Sequence, residues 1–240
     1  MKLIEDLLES VAHLDCPIRR ACVGLYWTVV ESRYTGIAHT YKTNRKVELE
    51  FSGQLTRKTA LELALRLRSW EPLECSLGLA ALNSLIDPSG SPGNIFERIC
   101  EIAAGKTVAV IGRFPFNNRV TQVARTAYLL ELDPDEGELP SYASEEVIPG
   151  SDIVLITATA LINKTLPRLL ELSRHATTVV LGPSTPMNDV LFRYGADIIS
   201  GVRVTNPDAL FDSVAQGVKK FGKLEGIEPV NRCRQRDVSR

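Results

Sequence analysis

Residues 151–182, SDIVLITATALINKTLPRLLELSRHATTVVLG, contain the pattern that decides the fold. Residues 152–156 form an apolar run without alternation, which is typical of a parallel strand covered on both faces. Residues 163–176 have helical spacing, and residues 177–182 return to the apolar strand pattern. This order of strand, helix and strand predicts two parallel strands joined by a crossover helix.

The same alternation extends to both sides of this unit. Strand patterns occur at 106–112, 128–132 and 196–204, and helical patterns occur at 96–105, from 118, at 185–195 and at 207–222. The series predicts an α/β fold with a Rossmann-like parallel sheet domain of about five strands, which we place at residues 91–225. Ligands of such sheets bind beyond the carboxyl ends of the strands.

Residues 1–90 follow a different order. A helical pattern at 3–14 is succeeded by strand patterns at 21–32, 35–43 and 46–51, and then by helical patterns at 57–70 and 72–86. Strands followed by helices indicate a smaller α+β domain. The loop PSGSPGN at 88–94 separates the two domains, and residues 226–240 are predicted to be a frayed polar tail.

The composition is that of a globular protein. The 240 residues are 44% hydrophobic and 24% charged, with a formal net charge of -1. That charge gives no electrostatic case for a nucleic-acid partner, and we find neither a signal-peptide pattern nor a run long enough to span a membrane. The five cysteines form no CxxC pair and are expected to be reduced thiols. We therefore expect a cytoplasmic protein without membrane insertion, and self-association as a homo-oligomer is left open.

Polar residues follow the predicted strands, where a parallel sheet would gather them at one rim. They are Thr157, Asn163, Thr165, Ser184, Thr185 and Ser200. In the turn GPSTP at 182–186, Thr185 is placed to cap a helix and Pro186 to occupy its first position, a geometry that also binds anions. These residues also have a purely structural explanation, as caps and turn residues. Arg113 and Arg203 are either anion ligands or surface charges.

A dinucleotide site is the first alternative for the rim. Glu131 follows Gly112 by 19 positions, near the spacing of a ribose-binding carboxylate. The turn after Gly112 reads RFPF, however, and these bulky residues stand where the dinucleotide fingerprint has glycines. The sequence therefore leaves a nucleotide or S-adenosylmethionine-type cofactor open as the less favoured hypothesis.

A metal site is the second alternative. His13, Cys16 and Cys22 could offer an imidazole and two thiolates to a soft divalent ion, although their spacing matches no strong zinc pattern. The acidic loop after the second predicted strand offers oxygen ligands, but it is better explained as a solvated loop. His39 and His175 are isolated, and no nucleophile or acid–base constellation surrounds either of them.

The motifs VAVIGRFPF, VVLGPSTPM and YGADIISGVRVTNPDAL together resemble the DUF364 family, whose domain is labelled for heavy-metal chelation. The segment VGLYWTVVESRYTGIAHT resembles the DUF4213 domain, which has a fold like the amino-terminal domain of enolase. The resemblance implies a cleft between two domains and a site that includes Gly112, Phe114, Pro115, Glu131, Pro134, Thr157, Asn163, Thr165, Gly182, Pro183, Ser184, Thr185, Pro186 and Gly201. Lys164 departs from the family pattern, in which a glycine is expected between Asn and Thr.

Two main hypotheses about function follow from the rim and the resemblance. The first is binding or processing of a small anionic ligand or a transition-metal chelate in the interdomain cleft, with the metal or its chelate as the implied cofactor. The alternative is an enzyme, a transferase or lyase, that uses a nucleotide-like or S-adenosylmethionine-type cofactor with Glu131 as its partner. A component of a metal-uptake assembly is a third hypothesis, which the sequence does not rank.

Overall fold

The computed structural model describes residues 1–41 and 47–235. Its strands are β1 (Arg20–Val23), β2 (Trp27–Glu31), β3 (Thr35–His39), β4 (Ser91–Pro92), β5 (Thr107–Ile111), β6 (Thr126–Glu131), β7 (Leu139–Pro140), β8 (Ile153–Thr157), β9 (Thr177–Leu181), β10 (Ile198–Val204) and β11 (Ile227–Cys233). Its helices are α1 (Lys2–Ala12), α2 (Ala60–Ala64), α3 (Pro72–Leu85), α4 (Phe96–Ala103), α5 (Asn117–Val123), α6 (Ser144–Val147), α7 (Leu166–Leu172), α8 (Val190–Arg193) and α9 (Pro207–Ala215).

The larger sheet has eight strands in the order β4, β11, β10, β9, β8, β5, β6, β7. Pairing is parallel from β10 through β9, β8, β5 and β6 to β7. Val108, Val110 and Leu155 are fully buried, as expected for strands covered on both faces. The predicted Rossmann-like α/β fold and its five main parallel strands are confirmed.

The strand order reverses between β5 and β8. From β5 the chain continues outward to β6 and β7, whereas from β8 it continues to the other side, to β9 and β10. In open α/β sheets this reversal leaves a crevice beyond the carboxyl ends of the two central strands, because the following loops diverge. The fold therefore places Gly112 and Thr157, at the ends of β5 and β8, at the natural position for a ligand.

The smaller sheet has three antiparallel strands in the order β1, β2, β3, and α3 packs across β2 and β3. Val30 and Leu82 from this part lie in the same hydrophobic cluster as Ala109 and Ile156 from the larger sheet. The strand predicted at 46–51 is not formed among the described residues, since residues 50–53 form a turn. Lys46 and the last residues of the strand predicted at 35–43 lie outside the described part of the chain. The two sheets thus share a continuous apolar core.

The carboxyl-terminal segment differs from the predicted frayed tail. Residues Ile227–Cys233 form β11, which pairs antiparallel with β10 over its whole length, with Val230 opposite Gly201. Val230 is completely buried, which explains the order of this segment despite its many polar residues. Residues 236–240 lie outside the described part of the chain. Among the helices of the described residues, none combines the length and apolarity needed to cross a membrane.

Candidate functional site

A cleft of about 1440 Å³ lies beyond the carboxyl ends of β5 and β8. The ends of β5, β6, β8 and β9 form its floor, and the smaller sheet contributes Tyr26, Trp27, His39 and Tyr41 to its wall. We call it the switch-point cleft. Twelve of the residues that the sequence analysis placed at the rim or in the site line it: Gly112, Phe114, Pro115, Glu131, Thr157, Asn163, Thr165, Gly182, Pro183, Ser184, Ser200 and Gly201.

Gly112 brings the two central strand ends together. Its φ angle is +113°, a conformation that other residues rarely adopt. A Cβ atom at this position would lie 2.9 Å from the Cβ atom of Thr157, which is closer than real side chains approach. The glycine is therefore needed for the close approach of β5 and β8, in addition to its conformational freedom.

The turn after Gly112 satisfies its own polar groups. The backbone N–H of Phe114 donates to Oδ1 of Asn117 at 3.3 Å, and Nδ2 of Asn117 donates to the carbonyl oxygen of Gly112 at 3.2 Å. A pyrophosphate site requires free N–H groups in this turn and little side-chain bulk around it. The geometry of this turn, like the absence of the fingerprint glycines from the sequence, disfavours a dinucleotide whose pyrophosphate binds at this turn.

A polar cluster at the end of β8 connects the two sheets. The hydroxyl oxygens of Thr157 and Thr159 are 2.9 Å apart. The hydroxyl of Tyr41 lies close to the side chains of Thr159 and Asn163. Burial raises the pKa of Tyr41, and the nearby charge of Glu131 adds to this effect, so Tyr41 is a neutral hydrogen-bond donor at neutral pH. Burial also raises the pKa of Glu131, against the opposing attraction of Arg113.

Asn163, Lys164 and Thr165 form a tight turn before α7. Oδ1 of Asn163 accepts hydrogen bonds from the backbone N–H and the hydroxyl of Thr165, at 3.1 and 2.7 Å. Lys164 has a φ angle of +69°, which explains why glycine is expected at this position. Its ammonium group donates to the carbonyl oxygen of Leu67 and, at 3.2 Å, to Sγ of Cys75. These contacts with the smaller domain hold the strained turn.

The GPSTP turn does not begin a helix, in contrast to the sequence prediction. The hydroxyl of Thr185 donates to the carbonyl oxygen of Gly182 at 2.7 Å, and Thr185 is only 3% exposed. Helix α8 begins five residues later, at Val190, whose N–H donates to Oδ1 of Asn188. Thr185 and Pro186 therefore close a turn, do not line the switch-point cleft, and offer no helix terminus to an anion.

Ser184 and Gly201 position this turn against its neighbours. The hydroxyl oxygen of Ser184 accepts a hydrogen bond from the backbone N–H of His39, and its carbonyl oxygen accepts one from Nδ2 of Asn83. A Cβ atom at Gly201 would lie 2.8 Å from Sδ of Met187 and 3.1 Å from the carbonyl oxygen of Thr185, so glycine allows the turn to pack closely against β10. Both residues line the cleft and hold its shape.

The two ambiguous arginines are both engaged by carboxylates. Arg113 donates to both carboxylate oxygens of Glu138, at 3.0 and 2.6 Å, and lies 3.0 Å from Asp135, so it offsets part of the negative charge of the acidic loop. Arg203 donates to Glu228 at 2.8 Å across β10 and β11. Arg113 is therefore tied to the acidic loop, and Arg203 is a cross-strand partner of Glu228.

The charge of the cleft lining is positive. Its ionisable side chains other than histidine and tyrosine are Arg113, Arg119, Lys164, Arg168 and Lys219, against Glu131 and Glu145. Glu145 is held by Arg168 at 2.7 Å. Arg119 lies over the ring of Phe96 and Lys219 over the ring of Tyr26, and within the described residues neither has a carboxylate partner. Since Glu138 and Asp135 engage Arg113, the cations that favour an anion in the cleft are chiefly Arg119 and Lys219.

The proposed protein ligands for a metal ion are not brought together. Cys16 packs against the large hydrophobic cluster, Cys22 packs against the separate cluster around Trp27, and His13 is exposed at the end of α1. In residues 1–41 and 47–235, no three His, Cys, Asp or Glu side chains are grouped so that they could hold a metal ion. The alternative ligand set His13, Cys16 and Cys22 is therefore not assembled among the described residues.

Sequence reasoning missed the aromatic wall supplied by the smaller sheet. His39 makes edge contacts with Trp27 and Tyr41, with ring centroids 5.5 and 5.7 Å apart. His39 and Tyr41 are two residues apart, a spacing that places them on one side of an extended chain. Only the packing of the two sheets directs that side into the cleft, so His39 is not isolated as its sequence context suggested.

Comparisons with known proteins agree with the fold. The DUF364 family profile, described as "Putative heavy-metal chelation", matches residues 94–226, and the DUF4213 profile, with the same description, matches residues 4–86. A DUF364-family protein of unknown function from Desulfitobacterium hafniense is 27% identical, with a TM-score of 0.81 and 97% of both chains covered. Another from Pyrococcus horikoshii is 21% identical, with a TM-score of 0.80 over 97% of this chain and 100% of that chain. Among curated proteins, none matches the chain.

Proposed function

Since the chain belongs to the DUF364 family, whose description names heavy-metal chelation, we propose that it binds a small anionic complex of a transition metal in the switch-point cleft. The metal is cargo in this proposal, and an organic chelator supplies most of its ligands. The observation that carries the proposal is the positive lining of the cleft, where Arg119 and Lys219 meet only aromatic faces among the described residues.

The donor set of the cleft fits a chelate better than a bare heavy-metal ion. The strongest metal ligands in its lining are one imidazole, His39, and two carboxylates, of which Glu145 is already paired with Arg168. Soft transition metals prefer sites with several thiolates or imidazoles. The hydroxyls of Thr157, Thr159 and Tyr41 instead suit the carboxylate oxygens of a chelator, as hydrogen-bond donors.

A test compares complexes of one metal that differ in charge. Calorimetric titration with the dianionic bis(iminodiacetate) complex of nickel(II) is compared with the dicationic tris(ethylenediamine) complex. We expect binding of the anionic complex only, because the cleft lining repels a cation. Lys219→Ala should weaken this binding severalfold, whereas the adjacent Lys220→Ala, outside the lining, should leave it unchanged.

Three results would contradict the proposal. Equal affinity for the two complexes would remove the electrostatic argument. Equal losses in the Lys219 and Lys220 variants would place the effect in the general surface charge rather than in the cleft. Absence of binding by any complex at millimolar concentration would reject a chelate as the ligand.

A cofactor-dependent enzyme is the second candidate, and Glu131 is the observation that favours it. Glu131 lies at the end of β6 in the cleft lining, which is where a ribose-binding carboxylate of a Rossmann domain is found. In this case NAD or S-adenosylmethionine should raise the melting temperature, and Glu131→Ala should abolish the shift. If neither cofactor shifts the melting temperature at millimolar concentration, the enzyme hypothesis is rejected.

A further inference from the structure

The aromatic lining of the switch-point cleft narrows the class of ligand. On the side of the larger sheet, the rings of Phe114 and Phe116 are stacked, with centroids 5.2 Å apart and planes at 6°. The ring of Phe96 lies next in the row, 5.3 Å from Phe116. All three residues line the cleft and are half-buried, so each is held by neighbours while part of it faces the cavity.

The smaller sheet supplies a second aromatic row. Trp27, His39 and Tyr41 follow one another through edge contacts with interplanar angles of 86° and 88°. Tyr26 lines the same cleft. Water solvates ring faces poorly. Replacing the water between these two aromatic rows by an apolar ligand surface is therefore favourable for binding.

One cation lies beside the first aromatic row and another lies beside Tyr26. The guanidinium of Arg119 lies 5.6 Å from the ring centroid of Phe96, and the ammonium of Lys219 lies 5.7 Å from that of Tyr26. A flat ring that carries a carboxylate could stack on an aromatic side chain and pair its charge with the adjacent cation. An aliphatic anion would satisfy the cation alone and leave the rings in contact with water.

A purely structural explanation is that these phenylalanines only complete the hydrophobic core. Phe114 and Phe116 do pack against the smaller cluster that contains Val108 and Val120. That contact accounts for one part of each ring, but core packing calls only for apolar side chains of suitable volume. It gives no reason for stacked rings at the edge of a cavity with a cation beside them.

We infer that the cleft selects planar aromatic anions, and that the chelator of the proposed metal complex is an aromatic carboxylate such as a pyridine carboxylate. This inference rests on the proposed function and adds the chemical class of the ligand. The aromatic rows supply the selectivity, and the cations with the hydroxyls at the end of β8 orient the carboxylates.

The test uses two complexes of equal charge, one with an aromatic chelator and one with an aliphatic chelator. The bis(dipicolinate) and bis(iminodiacetate) complexes of nickel(II) have the same charge and the same donor atoms, one nitrogen and two carboxylates per chelator. We expect the wild-type protein to bind the dipicolinate complex at least tenfold more tightly. Phe114→Leu should reduce this preference by about twofold to tenfold, the contribution of one aromatic pair, while Phe192→Leu, which lies outside this cleft, should not.

The outcomes separate the inference from the proposal beneath it. Equal affinities for the two complexes in the wild-type protein would overturn the aromatic inference and leave the anionic-chelate function standing. Binding of neither complex would overturn both. Tight binding of metal-free dipicolinate, equal to that of its complex, would support the aromatic inference and reject the metal as cargo. The comparison of the two complexes with the wild-type protein does not depend on the stability of any variant.

Discussion

The Oγ atom of Ser184 accepts a hydrogen bond from the backbone N–H of His39 over a distance of 2.9 Å. The contact connects the turn after β9 in the larger sheet to the last residue of β3 in the smaller sheet. Ser184 is 2% exposed, so water cannot replace the hydroxyl as the acceptor. This hydrogen bond therefore joins the two sheets at the edge of the cleft, together with the hydrogen bond from Asn83 to the carbonyl oxygen of Ser184.

The first prediction concerns this contact. Ser184→Ala leaves the N–H of His39 without its acceptor, and we expect the free energy of unfolding to fall by about 1–3 kcal/mol. Urea unfolding measures the change. Ser52 is exposed, so Ser52→Ala is a matched control and should have almost no effect. Equal stability of the two variants would show that the contact contributes nothing to the fold.

The second prediction concerns the positive φ angle of Lys164. Lys164→Ala and Lys164→Gly both lose the contacts of the ammonium group, but only the glycine relieves the backbone strain. We expect the glycine variant to be the more stable of the two by roughly 1 kcal/mol. At the exposed Lys106, whose φ is not positive, the order should reverse, because glycine then only adds entropy to the unfolded chain. The same order at both positions would contradict the strain argument.

The third prediction is a pH dependence at Glu131. Burial raises the pKa of this carboxyl group, so between the ordinary and the raised pKa the folded chain binds more protons than the unfolded chain. Stability therefore falls as the pH rises through this interval, and the ionised carboxylate destabilises the fold above it. We expect Glu131→Gln to stabilise the protein at pH 7, with the gain disappearing near about pH 4.

Thermal unfolding at several pH values checks this expectation, with Glu136→Gln on the exposed loop as the control. A gain of stability at neutral pH would mean that Glu131 is retained at a cost, as is common for residues in binding sites. A loss of stability at neutral pH would indicate that the attraction of Arg113 outweighs burial.

The fourth prediction concerns β11. A chain that ends at residue 226 loses the whole antiparallel partner of β10 together with the buried side chain of Val230, and we expect it not to fold stably. A chain that ends at residue 235 keeps the strand and should melt near the wild-type temperature. Circular dichroism compares the two chains. In the full chain, Val230→Ala should lower the free energy of unfolding by about 2 kcal/mol.

Sequence patterns predicted the parts of the site that depend on strand ends. The apolar runs of β8, β9 and β10 predicted that Thr157, Ser184 and Ser200 lie at a common rim, since parallel strands must end at the same edge, and all three line the cleft. The same reasoning failed at Thr185. A cap and a turn residue have the same local signature, and only the hydrogen bond to Gly182 distinguishes them.

The sequence by itself determined the α/β class, the five main parallel strands and the edge of the sheet at which a ligand would meet polar groups, because buried parallel strands leave a local apolar pattern. Only the tertiary structure decided that Tyr41 and His39 from the smaller sheet complete the cleft and that residues 227–233 form an edge strand. These features depend on contacts between segments far apart in the chain, and such contacts leave no periodic signal in either segment.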